Sequence, residues 1–347
     1  MREMRIGPNE AGQRFDKYLK KYLKEAGSGF LYKMLRKKNI TLNGARAEGS
    51  EKLKEGDLVR FFLADETIEK FRGAKWEPAS YGEDASCGED VSCGEDAVYS
   101  GKMRAQIRVI YEDDAILLAD KPAGLLTQKA SPQDDSLNDW LIAYLLSSGA
   151  LTRKELETFR PSVCNRLDRN TSGLVICGKT LTGSQRMSEL LRTRNVHKYY
   201  RLFVAGHPKK EGVAENWLIK DPKKNQVCIL DSDPGRKDAV RIKTGWKRLE
   251  TFAEGSYLEV ELFTGKTHQI RAQMAALGYP LIGDPKYGNQ KLNARFKKAG
   301  IQFQLLHAYR LEFPDLTDSP AGGRSFIAPE PERFALARKL LAEKAGS

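Results

Sequence analysis

The feature of this sequence that most constrains its fold is an acidic, low-complexity stretch that a hydrophobic core cannot use. Residues 77–98 contain seven acids and no Lys or Arg, and a six-residue unit repeats as YGEDAS, CGEDVS and CGEDAV. Such a segment buries too little apolar surface to offset the entropy of ordering it. The chain is therefore predicted to fold as two units, one on each side of an acidic linker over residues 65–103.

The unit before the linker, residues 1–64, is small and basic. Residues 12–64 hold 13 Lys and Arg against six acids, and the whole chain has 58 Lys and Arg against 46 Asp and Glu. Apolar residues at helical spacing and an Asn43-Gly44 turn predict two short helices and a hairpin, a small α/β domain. Basic side chains of such a domain are suited to contact the phosphates of RNA or DNA, and an ordinary solvated basic surface is the alternative. The candidates are Arg14, Lys17, Lys33, Arg36, Lys37 and Lys38.

The unit after the linker, residues 104–335, mixes strands and helices irregularly. The pattern predicts strands at residues 107–111, 115–119, 174–177, 199–204 and 258–263, and helices at 137–146, 181–194 and 269–277. Because these elements lack the regular spacing of βαβ units, we expect an α+β fold with a mixed, largely antiparallel sheet flanked by helices and loops. A short helix or tail is predicted at residues 336–347.

Several classes of protein are excluded by what the sequence lacks. No apolar run approaches the roughly 20 residues that span a bilayer, and the first ten residues have no signal-peptide core. The five cysteines are an odd number without C-x-x-C spacing, which matches neither a zinc framework nor a disulfide framework. We therefore expect a cytoplasmic protein without metal or membrane, and a monomer.

Residues 173–180, GLVICGKT, match the phosphate-binding pattern G-x-x-x-x-G-K-T letter for letter. In a true phosphate loop the residues between the glycines form a flexible cradle of backbone N–H groups, and the strand comes before the first glycine. Here the apolar run 174–177 lies between the glycines. A nucleotide triphosphatase is therefore disfavoured.

Three polar clusters stand at the ends of apolar strands. In the first, residues 165–173 (NRLDRNTSG), Asp168 lies near Arg166 and Arg169, whose charges favour an ionised carboxylate. An isolated motif of this kind would more often be a structural turn with surface arginines. In the second, residues 197–201 (HKYYR), alternation sends Tyr200 to the face opposite its neighbour, so only one tyrosine faces a given cleft.

The third cluster, residues 264–271 (TGKTHQIR), runs from a strand end into a helix and contributes Arg271. Together the ordered clusters resemble the RluA-type family of pseudouridine synthases, in particular its RluC-like members. Residues 165–173 resemble the motif H/N-R-L-D-x-x-T-S-G, residues 264–271 resemble T-G-R/K-T-H-Q-I-R, and Lys198 with Tyr200 resembles K-x-Y. The basic domain resembles a small RNA-binding domain also found in a ribosomal protein.

The resemblance implies isomerisation of uridine to pseudouridine on a flipped nucleotide, without a cofactor or metal. It implies an essential catalytic role for Asp168, stacking of Tyr200 on the uracil and pairing of Arg271 with Asp168. Whether Asp168 attacks carbon 1′, adds to the ring or removes a ribose proton stays open. Further substrate-binding candidates are Asn165, Arg166, Lys198, Lys266 and His268.

The sequence departs from the family pattern at three positions. Asn165 stands where many members have His, Asp120 replaces an Asn before Lys-Pro, and Gln273 stands where a His often follows. These changes bear on substrate preference more than on activity. The resemblance favours large-subunit ribosomal RNA as the substrate, with transfer RNA as the alternative, and a non-catalytic RNA-binding protein is the rival function.

Overall fold

A computed structural model describes residues 1–7, 9–72, 106–153, 155–221, 226–316 and 319–343. The acidic repeat lies outside these ranges, so its role as a linker stays a prediction. The described residues form one four-stranded sheet near the N-terminus and one 11-stranded sheet in the rest of the chain. None of the helices in these ranges is both long and apolar enough to cross a bilayer.

The N-terminal module contains an antiparallel sheet packed against three helices. Its strand order is β1-β4-β2-β3. The strands are β1 (Arg2–Arg5), β2 (Ile40–Leu42), β3 (Ala45–Arg46) and β4 (Leu58–Phe61), and the helices are α1 (Phe15–Tyr22), α2 (Ser28–Arg36) and α3 (Asp65–Arg72). The apolar faces of α1 and α2 converge with the sheet into one core, which includes Phe15, Leu19 and Phe61. This confirms the two predicted helices and the hairpin.

The helix α3 corrects the predicted boundary of this module. Residues 65–72 were expected to belong to the linker, but they form a regular helix whose Ile68 is fully buried in the module's core. The linker prediction overlooked two apolar residues in a charged context, Ile68 and Phe71, which both pack against the module's core. The module therefore extends to Arg72.

The large sheet confirms the predicted mixed, largely antiparallel architecture. Its strand order is β11-β10-β12-β13-β9-β14-β8-β6-β5, and only the pair of β8 and β14 is parallel. The strands are β5 (Arg108–Glu112), β6 (Ile116–Lys121), β7 (Ser162–Val163), β8 (Ser172–Gly178), β9 (His197–Ala205), β10 (Glu211–Asp221), β11 (Gln226–Leu230), β12 (Val240–Thr251), β13 (Gly255–Leu262), β14 (Leu306–Glu312) and β15 (Ser325–Ile327).

Five helices flank this sheet in the described part of the chain: α4 (Leu137–Ser147), α5 (Leu181–Arg192), α6 (Gln269–Ala276), α7 (Gln290–Lys298) and α8 (Glu332–Ala342). The helix α4 begins with a capping box, because the side chains of Ser136 and Asp139 each accept the other's backbone N–H. The predicted boundary at residue 335 is wrong. It falls inside α8, whose Phe334, Ala337 and Leu341 are buried in the large domain's core.

The central strand β8 brings the first polar cluster against β14. Gly173 has φ +110°, and a Cβ there would stand 2.2 Å from the carbonyl oxygen of Ala308. Only glycine allows this approach. Both glycines of the GLVICGKT run lie within β8, and every residue of that strand is buried. The structure therefore confirms that this run is a strand and not a phosphate cradle.

Three polar contacts join the module to the large domain. The amide of Asn9 donates to Glu155 over 2.8 Å, the hydroxyl of Thr158 donates to Glu10, and Arg72 pairs with Glu157. Asn9 and Glu10 are both buried. These contacts hold the basic module in a defined position beside the large domain.

Replacing Ile68 tests whether α3 belongs to the module. We expect Ile68→Ala to lower the free energy of unfolding of the module by about 2–4 kcal/mol, because it removes a buried side chain from a closed core. Denaturant unfolding followed by circular dichroism measures this. The control is Ile327→Ala, at a position that is 48% exposed, and it should change stability by less than about 1 kcal/mol. Equal effects of the two changes would contradict the new boundary.

Candidate active site

One cleft of about 970 Å³ collects the three polar clusters. Its wall includes all eight site residues predicted for the large domain, namely Asn165, Arg166, Asp168, Lys198, Tyr200, Lys266, His268 and Arg271. They come from the turn before β8, from β9, from the loop between β13 and α6, and from α6 itself, which carries Arg271. Elements far apart in the sequence therefore meet at one end of the sheet.

Asp168 lies in a turn that is held from behind. The backbone N–H of Thr171 closes the turn onto the Asp168 carbonyl over 3.0 Å. Lys121 is fully buried below it and donates to the carbonyls of Arg169, Leu125 and Pro122 at 2.8–3.0 Å. Burial, and then the charge of Arg333, lowers the pKa of Lys121 to about 7. The amine is thus used to fix the backbone next to Asp168.

Arg271 joins Asp168 to a second carboxylate. Its Nη1 donates to Oδ2 of Asp168 over 2.8 Å, while Nε and Nη2 donate to the two oxygens of Asp284 over 2.6 and 2.9 Å. Asp284 also accepts the backbone N–H groups of Lys286 and Tyr287. The bidentate pair with Asp284 fixes the plane of the guanidinium, so the remaining Nη1 points at Asp168.

The charges of this pair are maintained despite burial. Arg271 is 4% exposed and Asp284 is 1% exposed. Burial alone would lower the pKa of Arg271, but its hydrogen bonds to Asp284 and the charges of both carboxylates raise it instead. Burial opposes ionisation of Asp284 as well, yet the hydrogen bond and charge of Arg271 lower the pKa of that carboxyl. Both groups are therefore ionised at neutral pH.

Tyr200 faces the cleft from β9, and Tyr199 lies on the opposite face of the sheet. Tyr200 is 7% exposed and lines the same wall as Asp168, whereas the ring of Tyr199 lies 4.0 Å from the guanidinium carbon of Arg310. Burial, and then the charge of Asp168, raises the pKa of the Tyr200 phenol. Its hydroxyl is therefore protonated at neutral pH and available as a donor.

Lys198 and His268 stand on either side of this centre. Burial, and then the nearby Arg194, lowers the pKa of Lys198. His268 has Nε2 3.9 Å from Asp168 Oδ2 and Nδ1 3.0 Å from the hydroxyl of Tyr287. Burial lowers the pKa of His268, an effect that the charge of Asp168 partly offsets. At neutral pH the ring is thus neutral and cannot form a full ion pair with Asp168.

The remaining predicted site residues differ in what they offer a ligand. Arg166 and Lys266 are exposed at the mouth of the cleft. The side-chain oxygen of Asn165 accepts the backbone N–H of Ile176 over 2.7 Å, so this residue braces the turn against β8. Asn165 therefore stabilises the local backbone in addition to lining the cleft.

Sequence reasoning missed the residues that support the centre from outside the three clusters. Asp284 lies in the loop of residues 283–288, and nothing local to that loop shows that a distant arginine reaches it. Ser172 shares hydrogen bonds of 2.9 Å with His307 and with Arg333 of α8, which ties the C-terminal helix to the start of β8. His307 stands in an apolar run, Leu305-Leu306-His307-Ala308, which is a local signal, whereas the turn residues around Asp284 give none.

The six predicted RNA contacts of the module are exposed, away from the cleft. They are Arg14, Lys17, Lys33, Arg36, Lys37 and Lys38. Arg14 differs from the others, because it forms a two-point pair with Asp16 at 3.0 and 3.1 Å. We therefore expect the basic face of the module to depend mainly on the cations of α2 and the turn after it.

Comparison with known proteins identifies the family. A family model described as RNA pseudouridylate synthase matches residues 115–276, which include all three clusters. Ribosomal large subunit pseudouridine synthase D of Zymomonas mobilis subsp. mobilis is 30% identical over 239 residues, which cover 68% of this chain and 73% of that protein. The chain belongs to the RNA pseudouridylate synthase family. It is an isomerase that converts uridine to pseudouridine in RNA.

Two further comparisons agree with this pseudouridine synthase fold. Ribosomal large subunit pseudouridine synthase C of Vibrio cholerae serotype O1 is 28% identical over 314 residues, covering 89% of this chain and 87% of its own length. The solved structure of human RNA pseudouridylate synthase domain containing 4 is 20% identical with a TM-score of 0.56. It covers 70% of this chain and 95% of the human one, and it shows the shared fold.

Replacing Asp284 tests its support of the synthase site. We expect Asp284→Asn to lower pseudouridine formation about 100-fold, because the freed guanidinium no longer aims at Asp168. The same change should lower the free energy of unfolding by about 3 kcal/mol, since it breaks a buried ion pair. Turnover by the fully folded fraction, checked by circular dichroism, is the measurement.

The matched control is Asp238→Asn. Asp238 accepts two bonds from Arg236 at 2.9 and 2.7 Å in an exposed pair with the same fork geometry. Its loss should leave turnover unchanged and cost less than about 1 kcal/mol. Full activity of Asp284→Asn would show that Arg271 needs no second carboxylate.

Proposed function

We propose that this pseudouridine synthase modifies uridines of large-subunit ribosomal RNA with Asp168 as its essential catalytic residue. The observation that carries the assignment is the Asp168 carboxylate, held 2.8 Å from Arg271 in the cleft that Tyr200 also lines. The substrate class is supported by the relatives, which are named ribosomal large subunit pseudouridine synthases C and D. Transfer RNA is the alternative substrate.

Access to the cleft requires a flipped nucleotide. Asp168 lies in a half-buried turn, and a uridine stacked within a helix cannot bring its glycosidic bond there. We expect Tyr200 to stack on the extruded uracil. Its protonated hydroxyl is suited to proton transfer at carbon 5.

Arg271 orients the reactive carboxylate. Attack on carbon 1′, addition to the ring and removal of a ribose proton all require Asp168 to point in a defined direction. The contact with Arg271, itself fixed by Asp284, supplies that direction. Asp284 thus acts as a positioning residue in all three schemes.

The cations around the cleft are suited to holding the RNA backbone. Arg166 and Lys266 at the mouth and Lys198 on the wall are expected to contact phosphates next to the flipped nucleotide. The basic module adds affinity and register through α2. The expected monomeric state and cytosolic location stay predictions.

Mapping of pseudouridines tests both activity and substrate. Cells that lack the protein should lose pseudouridines at specific sites of large-subunit ribosomal RNA, and wild-type protein should restore them. Asp168→Ala should restore none, because the reaction has lost its reactive carboxylate. The control is Asp233→Ala at an exposed position, which should restore all of them.

The other outcomes of the mapping are equally informative. If the lost sites lie only in transfer RNA, the substrate is transfer RNA and not ribosomal RNA. Restoration by Asp168→Ala would overturn the catalytic assignment. If no site depends on the protein, the non-catalytic RNA-binding function takes its place.

Neutralising the basic face of the module tests its part in binding. We expect the triple change Lys33→Gln, Arg36→Gln and Lys37→Gln to weaken RNA binding at low salt. It should also reduce the slope of log K against log salt by about 2–3, because each lost phosphate contact removes about 0.7–0.9 from the slope. RNA affinity measured over a salt series gives this slope.

The control for this experiment carries the same change of charge on the exposed face of α7. It replaces Lys291, Lys297 and Lys298 with Gln. We expect its salt slope to stay closer to that of the wild-type protein. Equal slopes for the two triple variants would show that the module has no special place in RNA binding.

A further inference from the structure

The cleft contains one buried polar atom that the catalytic assignment leaves unexplained. Among the described residues, seven buried side-chain N and O atoms have no hydrogen-bond partner. Oε1 of Gln304 is the only one of them that belongs to a residue lining the cleft. A buried acceptor left without a partner costs about 1–3 kcal/mol, so such an atom calls for a physical reason.

Gln304 is held firmly at its backbone and loosely at its amide. It is 1% exposed and lies just before β14, where the N–H of Leu306 donates to its carbonyl over 2.9 Å. Its amide Nε2 makes only a long contact of 3.4 Å, with the hydroxyl of Thr171. Because Thr171 engages the amide nitrogen, the oxygen Oε1 is the end of the amide that is left without a partner in the described part of the chain.

The amide lies close to the reactive centre. Thr171 closes the turn that carries Asp168, and Gln304, Thr171 and Tyr200 line the same cleft. A base that stacks on Tyr200 therefore brings its polar edge within the same pocket as this amide. In base-flipping enzymes the extruded base is identified by hydrogen bonds to its Watson–Crick edge.

We propose that Gln304 selects uracil, with Oε1 accepting the N3–H of the flipped base. This inference rests on the proposed function and names the residue that gives it base specificity. Uracil carries a donor at N3 between two carbonyl acceptors. Cytosine carries an unprotonated N3 and an amino group in place of one carbonyl, so it would set an acceptor against Oε1. A buried site built to hydrogen-bond a group strongly rejects a ligand that lacks it.

The test compares Gln304→Met with the wild-type protein on two synthetic hairpins. One carries a uridine that mapping has shown to be modified, and the other has cytidine at that position. Met keeps the length of the side chain but has no amide. We expect kcat/KM on the uridine hairpin to fall about 10- to 100-fold. The cytidine hairpin should inhibit the wild-type protein only weakly. It should inhibit the variant with an inhibition constant close to the KM of the uridine hairpin.

Gln273→Met is the matched control. Gln273 is fully buried, but its amide is paired with Thr244, Asn216 and the carbonyl of Ala214, and it does not line the cleft. This variant should lose stability and keep the wild-type preference for uridine. Gln304→Asn, which withdraws the amide by one methylene, serves as a second variant if Gln304→Met does not fold.

The outcomes separate the inference from the function on which it rests. A fall in kcat/KM with an unchanged preference for uridine would make Gln304 a positioning residue for the Thr171 turn and overturn its role in selection. If Gln273→Met also loses the preference for uridine, the effect comes from general loosening of the fold. The role of Gln304 in selection is then overturned too. Wild-type protein that forms no pseudouridine would instead overturn the proposed function, and the inference with it.

Discussion

The contact on which the rest of the site depends is the buried chain of charges from Asp284 through Arg271 to Asp168. An arginine that is 4% exposed persists only when its donors are paired, and three of them are used here. Two fix the guanidinium on Asp284 and one is left for the reactive carboxylate. Because Asp284 is itself anchored by backbone N–H groups, the direction of Asp168 is set by the fold.

The pairing of the strands brings the other parts of the site together. The parallel pairing of β8 and β14 puts the Asp168 turn beside the segment that carries Gln304, and the antiparallel pairing of β9 with β14 brings in Tyr200. Gly173 permits the close approach of the two strands, since a side chain there would collide with Ala308. A largely antiparallel sheet with one parallel pair thus assembles four distant segments at one end.

The polar residues behind the cleft stabilise the backbone around the site. Lys121 and His307 are buried and Arg333 is half-buried, and they form hydrogen bonds with carbonyls and with Ser172. These bonds hold the turn and the first residues of β8. Nε of Arg333 has no partner among the described residues either, but Arg333 does not line the cleft. Gln304 does line it, so its Oε1 is the unpaired atom available to an incoming base.

The sequence by itself determined the division of charge, the main strands and the three clusters, because alternation, turn residues and motif order are local properties. It placed Asp168 in a turn before a strand, Tyr200 on a strand and Arg271 where a strand end leads into a helix, and the structure has them there. It missed the helix that begins at Asp65 and placed the start of the C-terminal helix after Glu332, since a few buried apolar residues decide both boundaries. Only the tertiary structure could join Asp284 to Arg271 or leave Gln304 unpaired in the cleft. Both depend on which distant segments share a buried space, and no local pattern records that.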